Sequence, residues 1–92
     1  MLKGVVLSRQ AQKDLAIIPR HVGVKLLDWV KDVEDRGLEE VRKTPGYHDE
    51  PLKGALKGRR SIRLSKDYRA YYQIVRDVVE FVRVERVDKH VY

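Results

Sequence analysis

Six residues in the second half of this 92-residue chain are of types that could together cut an RNA backbone. Such a cut, made without a metal, needs four groups. A base takes the proton of the 2′-hydroxyl, an acid protonates the departing 5′-oxygen, cations offset the charge on phosphorus, and a flat group holds a neighbouring base. Glu50 stands where the chain enters its β-rich half, and Arg63 and Arg69 fall on adjacent predicted strands. Arg86 and His90 lie four apart at the end of the last strand, and Tyr92 is the final residue. Other chemistries find less. His21, His48 and His90 form no ligand-spaced pair, and there is no cysteine, so neither a thiolate metal site nor a disulfide is expected. Ser8, Ser61 and Ser65 lack the glycine pattern of a nucleophile elbow. Gly54-Ala55-Leu56-Lys57-Gly58 precedes a strand rather than a helix, so it lacks the helix N-terminus that a phosphate loop exploits.

The elements that must position these residues can be read from periodicity. Lys3 to Leu7 read as a short strand, with Val5, Val6 and Leu7 β-prone. Ser8 suits an N-cap for a helix over 9–17, with Ala11, Leu15 and Ile18 on one face. Pro19 ends that helix and can open the next, over 20–36, whose stripe is Val22, Leu26, Trp29, Val30 and Val33, with Gly37 as terminator. A short helical turn is possible at 38–42. From there to Gly58 prolines and glycines break any pattern. Then Ser61 to Ser65 alternate strictly, Lys66-Asp67 turn, Tyr68 to Val75 form a strand, Arg76-Asp77 turn, and Val78 to Val87 form another. The expected fold is α+β in the order β-α-α-β-β-β: an N-terminal strand, a helical hairpin and a three-stranded antiparallel meander, in one domain over 1–92. One sheet face should be covered by the helices and the other, carrying Arg63, left open.

Charge supports an anionic partner. Lys and Arg number 20 against 14 Asp and Glu, a net +6, and the charge is polarised along the chain. Lys53, Lys57, Arg59, Arg60, Arg63, Lys66 and Arg69 follow one another with only Asp67 among them, while acids gather between Asp28 and Glu40. No apolar run approaches membrane-spanning length, and the opening Met1 to Leu7 is too short for a signal-peptide core, so the expected compartment is the cytoplasm.

The run Glu50-Pro51-Leu52-Lys53-Gly54-Ala55-Leu56-Lys57-Gly58, then Ile62-Arg63-Leu64, Tyr68-Arg69-Ala70-Tyr71-Tyr72-Gln73-Ile74, Arg86 and His90-Val91-Tyr92, resembles the RelE/ParE superfamily of toxins from toxin–antitoxin pairs. The likeness spans the chain and is nearest the RelE, YoeB, YafQ and HigB branch of ribosome-dependent ribonucleases. It implies a RelE-like fold and a metal-independent endoribonuclease without cofactor that cleaves messenger RNA on the ribosome. A cognate antitoxin protein would be its partner. By the same resemblance Glu50, before Pro-Leu, is the general base, Arg63 is the basic residue on the strand before the turn, Arg69 and Arg86 are phosphate-directed, His90 is the general acid and Tyr92 stacks on or orients the substrate. Asp67-Tyr68 resembles the acid–aromatic pair of YafQ-like members. Lys53, Lys57, Arg59, Arg60 and Lys66 are expected to make diffuse contacts with ribosomal RNA.

Three departures stand out. Ser61 replaces a lysine of RelE-like members, His48 competes with Glu50 as base, and Val91 separates His90 from Tyr92, a spacing that keeps both on one side of an extended segment. Each candidate also has a plainer reading. Arg69 and Arg86 could pair with Asp67, Glu85 or Asp88, Glu50 could be an ordinary loop carboxylate, and His90 and Tyr92 could be idle at the chain end. The resemblance leaves two other activities open: a ParE-like inhibitor of DNA gyrase, and an inactive toxin that retains only antitoxin binding.

Overall fold

The computed structural model describes residues 4–86. Strand β1 (Val5–Leu7) leads into helices α1 (Arg9–Ile17), α2 (Arg20–Arg36) and α3 (Leu38–Arg42). After a 3₁₀ turn at Pro45–Tyr47 come β2 (Glu50–Pro51), β3 (Arg60–Arg63), β4 (Tyr68–Val75) and β5 (Val78–Arg86). The five strands form one sheet in the order β1-β5-β4-β3-β2, with the helices on one face.

The helix boundaries follow from local chemistry. The Ser8 hydroxyl accepts from the Ala11 amide at 3.0 Å and caps α1. Ile18, before Pro19, is extended (φ −84°, ψ 160°), which separates α1 from α2. Gly37 at φ 87° bonds its N–H to the Val33 carbonyl at 2.8 Å and turns the chain directly into α3. The α2 stripe of Val22, Leu26, Trp29 and Val33 is fully buried. It packs on Ile62, Ala70, Tyr72, Val79 and Phe81 from the sheet. At the centre the rings of Trp29, Tyr72 and Phe81 lie 5.1–5.7 Å apart, the separations that aromatic quadrupoles favour.

The sheet differs from a plain meander in two ways. β1 runs parallel to β5, with Val5 opposite Val79 and Leu7 opposite Phe81, so the sheet is mixed. Residues 50–51 add an edge strand to β3, where Pro51 is tolerated because an edge leaves its missing N–H without consequence. Among the described residues no helix is long and apolar enough to cross a membrane.

The 3₁₀ turn is pinned to α2 through Tyr47, whose hydroxyl donates to Asp32 Oδ2 at 2.9 Å. Burial, then the hydrogen bond and charge of Asp32, push the Tyr47 phenol up to about 12. Folding therefore favours the neutral phenol. Its contribution is full below the ordinary tyrosine value near 10 and is lost as pH rises through about 12. Urea melts at about pH 9 and about pH 11 should show the parent losing more stability than Tyr47→Phe over that interval. Equal losses would mean that the phenol is not coupled to folding.

Candidate active site

The open face of the sheet is organised in two rows across the strands. Register pairs Glu50 with Ser61, Ser61 with Tyr71 and Tyr71 with Arg83, so these four share one side. The next row on that side is Arg63, Arg69 and Glu85. Arg63 and Arg69 are thus directly opposed like charges, an arrangement that costs stability unless an anion or a carboxylate offsets it. The carboxylate is Glu50, which reaches diagonally to place Oε1 3.6 Å from Arg69 Nη1. Its side chain is 61% exposed against 26% for Arg69, so the pair is weak and open to exchange. Arg63 and Arg69 also line a cleft of about 550 Å³ with Lys25 and Lys66. Four cations around one cleft concentrate positive potential there.

Glu50 is held in place by the residue before it. The Asp49 side chain is fully buried and accepts from Arg60 Nε and from the Tyr72 hydroxyl. Burial works against the Arg60 charge, and the hydrogen bond and charge of Asp49 outweigh it, so the guanidinium sits above its ordinary value. Burial, with the Asp49 bond added, raises the Tyr72 phenol well beyond its usual range. This clamp fixes β2 on β3 and so sets the position of Glu50. It also changes the role of Arg60. An expected RNA contact, Arg60 is turned inward, because register puts it opposite the buried Tyr72 on the helix side.

Arg86 is the second departure. β5 carries a bulge: Phe81 pairs with Tyr72 and Arg83 with Tyr71, leaving Val82 unpaired. The bulge is held by α1. The Ser8 hydroxyl donates to the Val82 carbonyl at 3.1 Å, the Ser8 amide donates to the Phe81 carbonyl at 2.8 Å, and the buried Asp14 carboxylate accepts from the Val84 amide at 2.8 Å. Unbroken alternation from Phe81 would bring Arg86 to the open face and send Arg83 inward. The bulge exchanges them. Arg86 lies opposite Tyr68, on the helix side, and Arg83 joins the open face, 3.0 Å from Glu85.

The remaining candidates divide by position. Lys53 and Lys57 are exposed on the connection between β2 and β3, Lys66 is exposed in the β3–β4 turn, and Arg59 is half-buried beside Tyr71. His48 is exposed in a left-handed conformation (φ 49°), and the carboxylate paired with Arg69 is that of Glu50. His90 and Tyr92 lie outside the described residues. Asp49, Tyr71, Arg83 and Glu85 were not among the sequence candidates. Tyr71 and Arg83 follow from register, and the identity of the Asp49 partners depends on contacts 11 and 23 residues away.

The family model of the ParE toxin of type II toxin–antitoxin systems matches residues 5–90. No curated protein matches the sequence. Among solved structures the fold is similar to YafQ from E. coli strain BL21(DE3), with a TM-score of 0.73 and 21% identity over 91% of this chain and 92% of that one. It is similar to YoeB, solved as a dimer, from Staphylococcus aureus, with a TM-score of 0.71 and 18% identity over 96% of this chain and 100% of the other. A chain of the RelBE2 toxin–antitoxin complex from Mycobacterium tuberculosis gives 0.68 and 21% over 94% and 99%.

Proposed function

We propose, from the premise that this chain belongs to the ParE toxin family of type II toxin–antitoxin systems within the RelE/ParE superfamily, that it is an endoribonuclease cleaving messenger RNA on the ribosome. The observation that carries this reading is the Glu50–Arg69 pair beside Arg63: a displaceable carboxylate next to two opposed cations. A backbone phosphate entering the cleft competes with Glu50 for Arg69 and releases the carboxylate. Glu50 then takes the proton of the adjacent 2′-hydroxyl, and that oxygen attacks phosphorus. Arg63 and Arg69 hold the non-bridging oxygens as negative charge grows on them. The 5′-oxygen leaves with a proton supplied by His90, and Tyr92 orients the base. The products are a 2′,3′-cyclic phosphate and a 5′-hydroxyl, and no metal or cofactor enters the balance. Lys53, Lys57 and Lys66 add a salt-sensitive hold on ribosomal RNA in the cytoplasm.

The partner in this reading is a cognate antitoxin that covers the basic face with acidic and apolar side chains. RelBE2 is a toxin–antitoxin complex, and YafQ, of the same fold, has also been solved bound to DinJ.

The test is translation in vitro with primer extension on the message, where codon-spaced cuts are expected. Arg69→Ala should cost about 2.7–4 kcal/mol of transition-state stabilisation, roughly 10²–10³ in rate, with an unchanged melting temperature because the open face is not core. An unchanged rate would remove Arg69 from the site. A second reading, inhibition of DNA gyrase, is favoured by the match to the ParE family model itself. Cleaved plasmid accumulating with purified gyrase, with intact message on ribosomes, would establish it instead.

A further inference from the structure

A second cavity opens on the same sheet face, beside the Glu50–Arg69 pair and distinct from the cationic cleft. It has a volume of about 390 Å³, within the range of small-ligand pockets. Its walls combine Leu52, Leu56 and Val82 with the half-buried ring of Tyr71. Leu56 is 44% exposed, an apolar lining side chain left facing solvent. Arg59, Arg83, Gln10 and the Glu85 carboxylate complete the lining.

These walls match the chemistry of one nucleobase. The aliphatic side chains and the Tyr71 ring offer flat apolar contact, and the planar guanidinium of Arg59 or Arg83 can stack on the exposed side of a base. Register relates the cavity to the cut. Tyr71 is two residues from Arg69 on the same face, about 7 Å along β4, which suits a base whose own backbone lies at the cationic row. Glu85 adds selectivity. As a carboxylate it only accepts, and although it pairs with Arg83 and neighbours the Tyr71 hydroxyl, its two oxygens have further lone pairs. An exocyclic amino group of adenine, cytosine or guanine can donate to them. Uracil has no amino group, and its single edge donor, N3–H, is flanked by two carbonyl oxygens that the carboxylate repels.

We infer that this cavity is a nucleobase pocket in which Glu85 selects amino-bearing bases over uracil at one fixed position beside the cut. The inference rests on the proposed RNA-cleaving role and names a further subsite of that same face. An apolar protein side chain is less suited to it, since it would leave unused an acceptor that matches donors a base carries in a plane.

Two measurements test it separately. Cut sites mapped by sequencing after translation in vitro should be depleted of uracil at one codon position, and Glu85→Gln, whose amide also donates, should raise uracil there roughly tenfold or more. Independently of cleavage, nitrogen–proton spectra of the parent titrated with CMP and AMP should shift the amides of Tyr71, Val82 and Glu85. UMP and ribose 5-phosphate should move them far less. Such shifts in a protein that leaves message intact would sustain the pocket while ending the ribonuclease reading. Codon-spaced cleavage with unmoved amides and an unaltered Glu85→Gln profile would overturn the pocket. Protection of those same amides by the antitoxin alone would then assign the cavity to a protein side chain.

Discussion

Asp49→Ala should unfold this protein more readily than any substitution on the open face. The change removes a fully buried carboxylate that serves two donors, Arg60 Nε and the Tyr72 hydroxyl. Loss of one member of a buried ion pair typically costs 3–5 kcal/mol, and an orphaned buried hydroxyl about 1–3. The Arg60 side chain keeps 22% of its exposure, so water recovers part of its charge, and about 3 kcal/mol is the reasonable expectation. For a domain of this size that is a fall in melting temperature of roughly 12–24 °C. Asp49→Asn keeps the shape and one acceptor and should lose less. Thermal unfolding followed by circular dichroism decides it, and an Asp49→Ala protein melting within about 2 °C of the parent would show the clamp to be dispensable. The same variant, assayed well below its midpoint, should still cleave poorly, because β2 carries Glu50 and loses its anchor.

His90→Gln is expected to keep ribosome binding and slow single-turnover cleavage by roughly 10²–10⁴-fold, the usual share of general acid catalysis. A leaving 5′-oxygen needs a proton, and histidine is the side chain that titrates near neutrality. A message analogue with a 5′-thio leaving group needs no protonation and should recover most of the lost rate. Parental speed on normal message would exclude His90 as the acid. Slow turnover on both substrates would make it a residue that positions RNA, with the proton drawn from elsewhere.

Much of the fold was written in local pattern. Ser8, Pro19 and Gly37 bound the helices because capping and φ preference act within a few residues, and the α2 stripe is a period that burial must obey. Both turns, at Lys66-Asp67 and Arg76-Asp77, carry their own signals, although Arg76 and Asp77 take positive φ without a glycine. What local pattern does not contain is pairing at a distance. The parallel contact of β1 with β5 joins residues more than 70 apart, and β2 hides in a stretch broken by Pro51 and Gly54. For the site, Glu50, Arg63 and Arg69 were legible because motif order brought them together. Arg60 and Arg86 were not, because which face an arginine takes depends on register, and in β5 register is reset by a bulge at Val82 that its neighbours Phe81 and Arg83 do nothing to announce.

That reset means that the identity of the arginine on the open side is set by whether the bulge in β5 persists. Losing the bulge with Val82 kept would set Val82 opposite Tyr71 and turn residues 83–86 to the opposite face, withdrawing Glu85 and carrying Arg86 outward, whereas removing Val82 would absorb the extra residue and keep the present faces. Related genes aligned column by column would then match arginine to arginine while the molecules presented different ones. In this scaffold a substitution far from the open face can change which arginine that face presents, and Ser8, by holding the Val82 carbonyl, is the residue that guards the present phase.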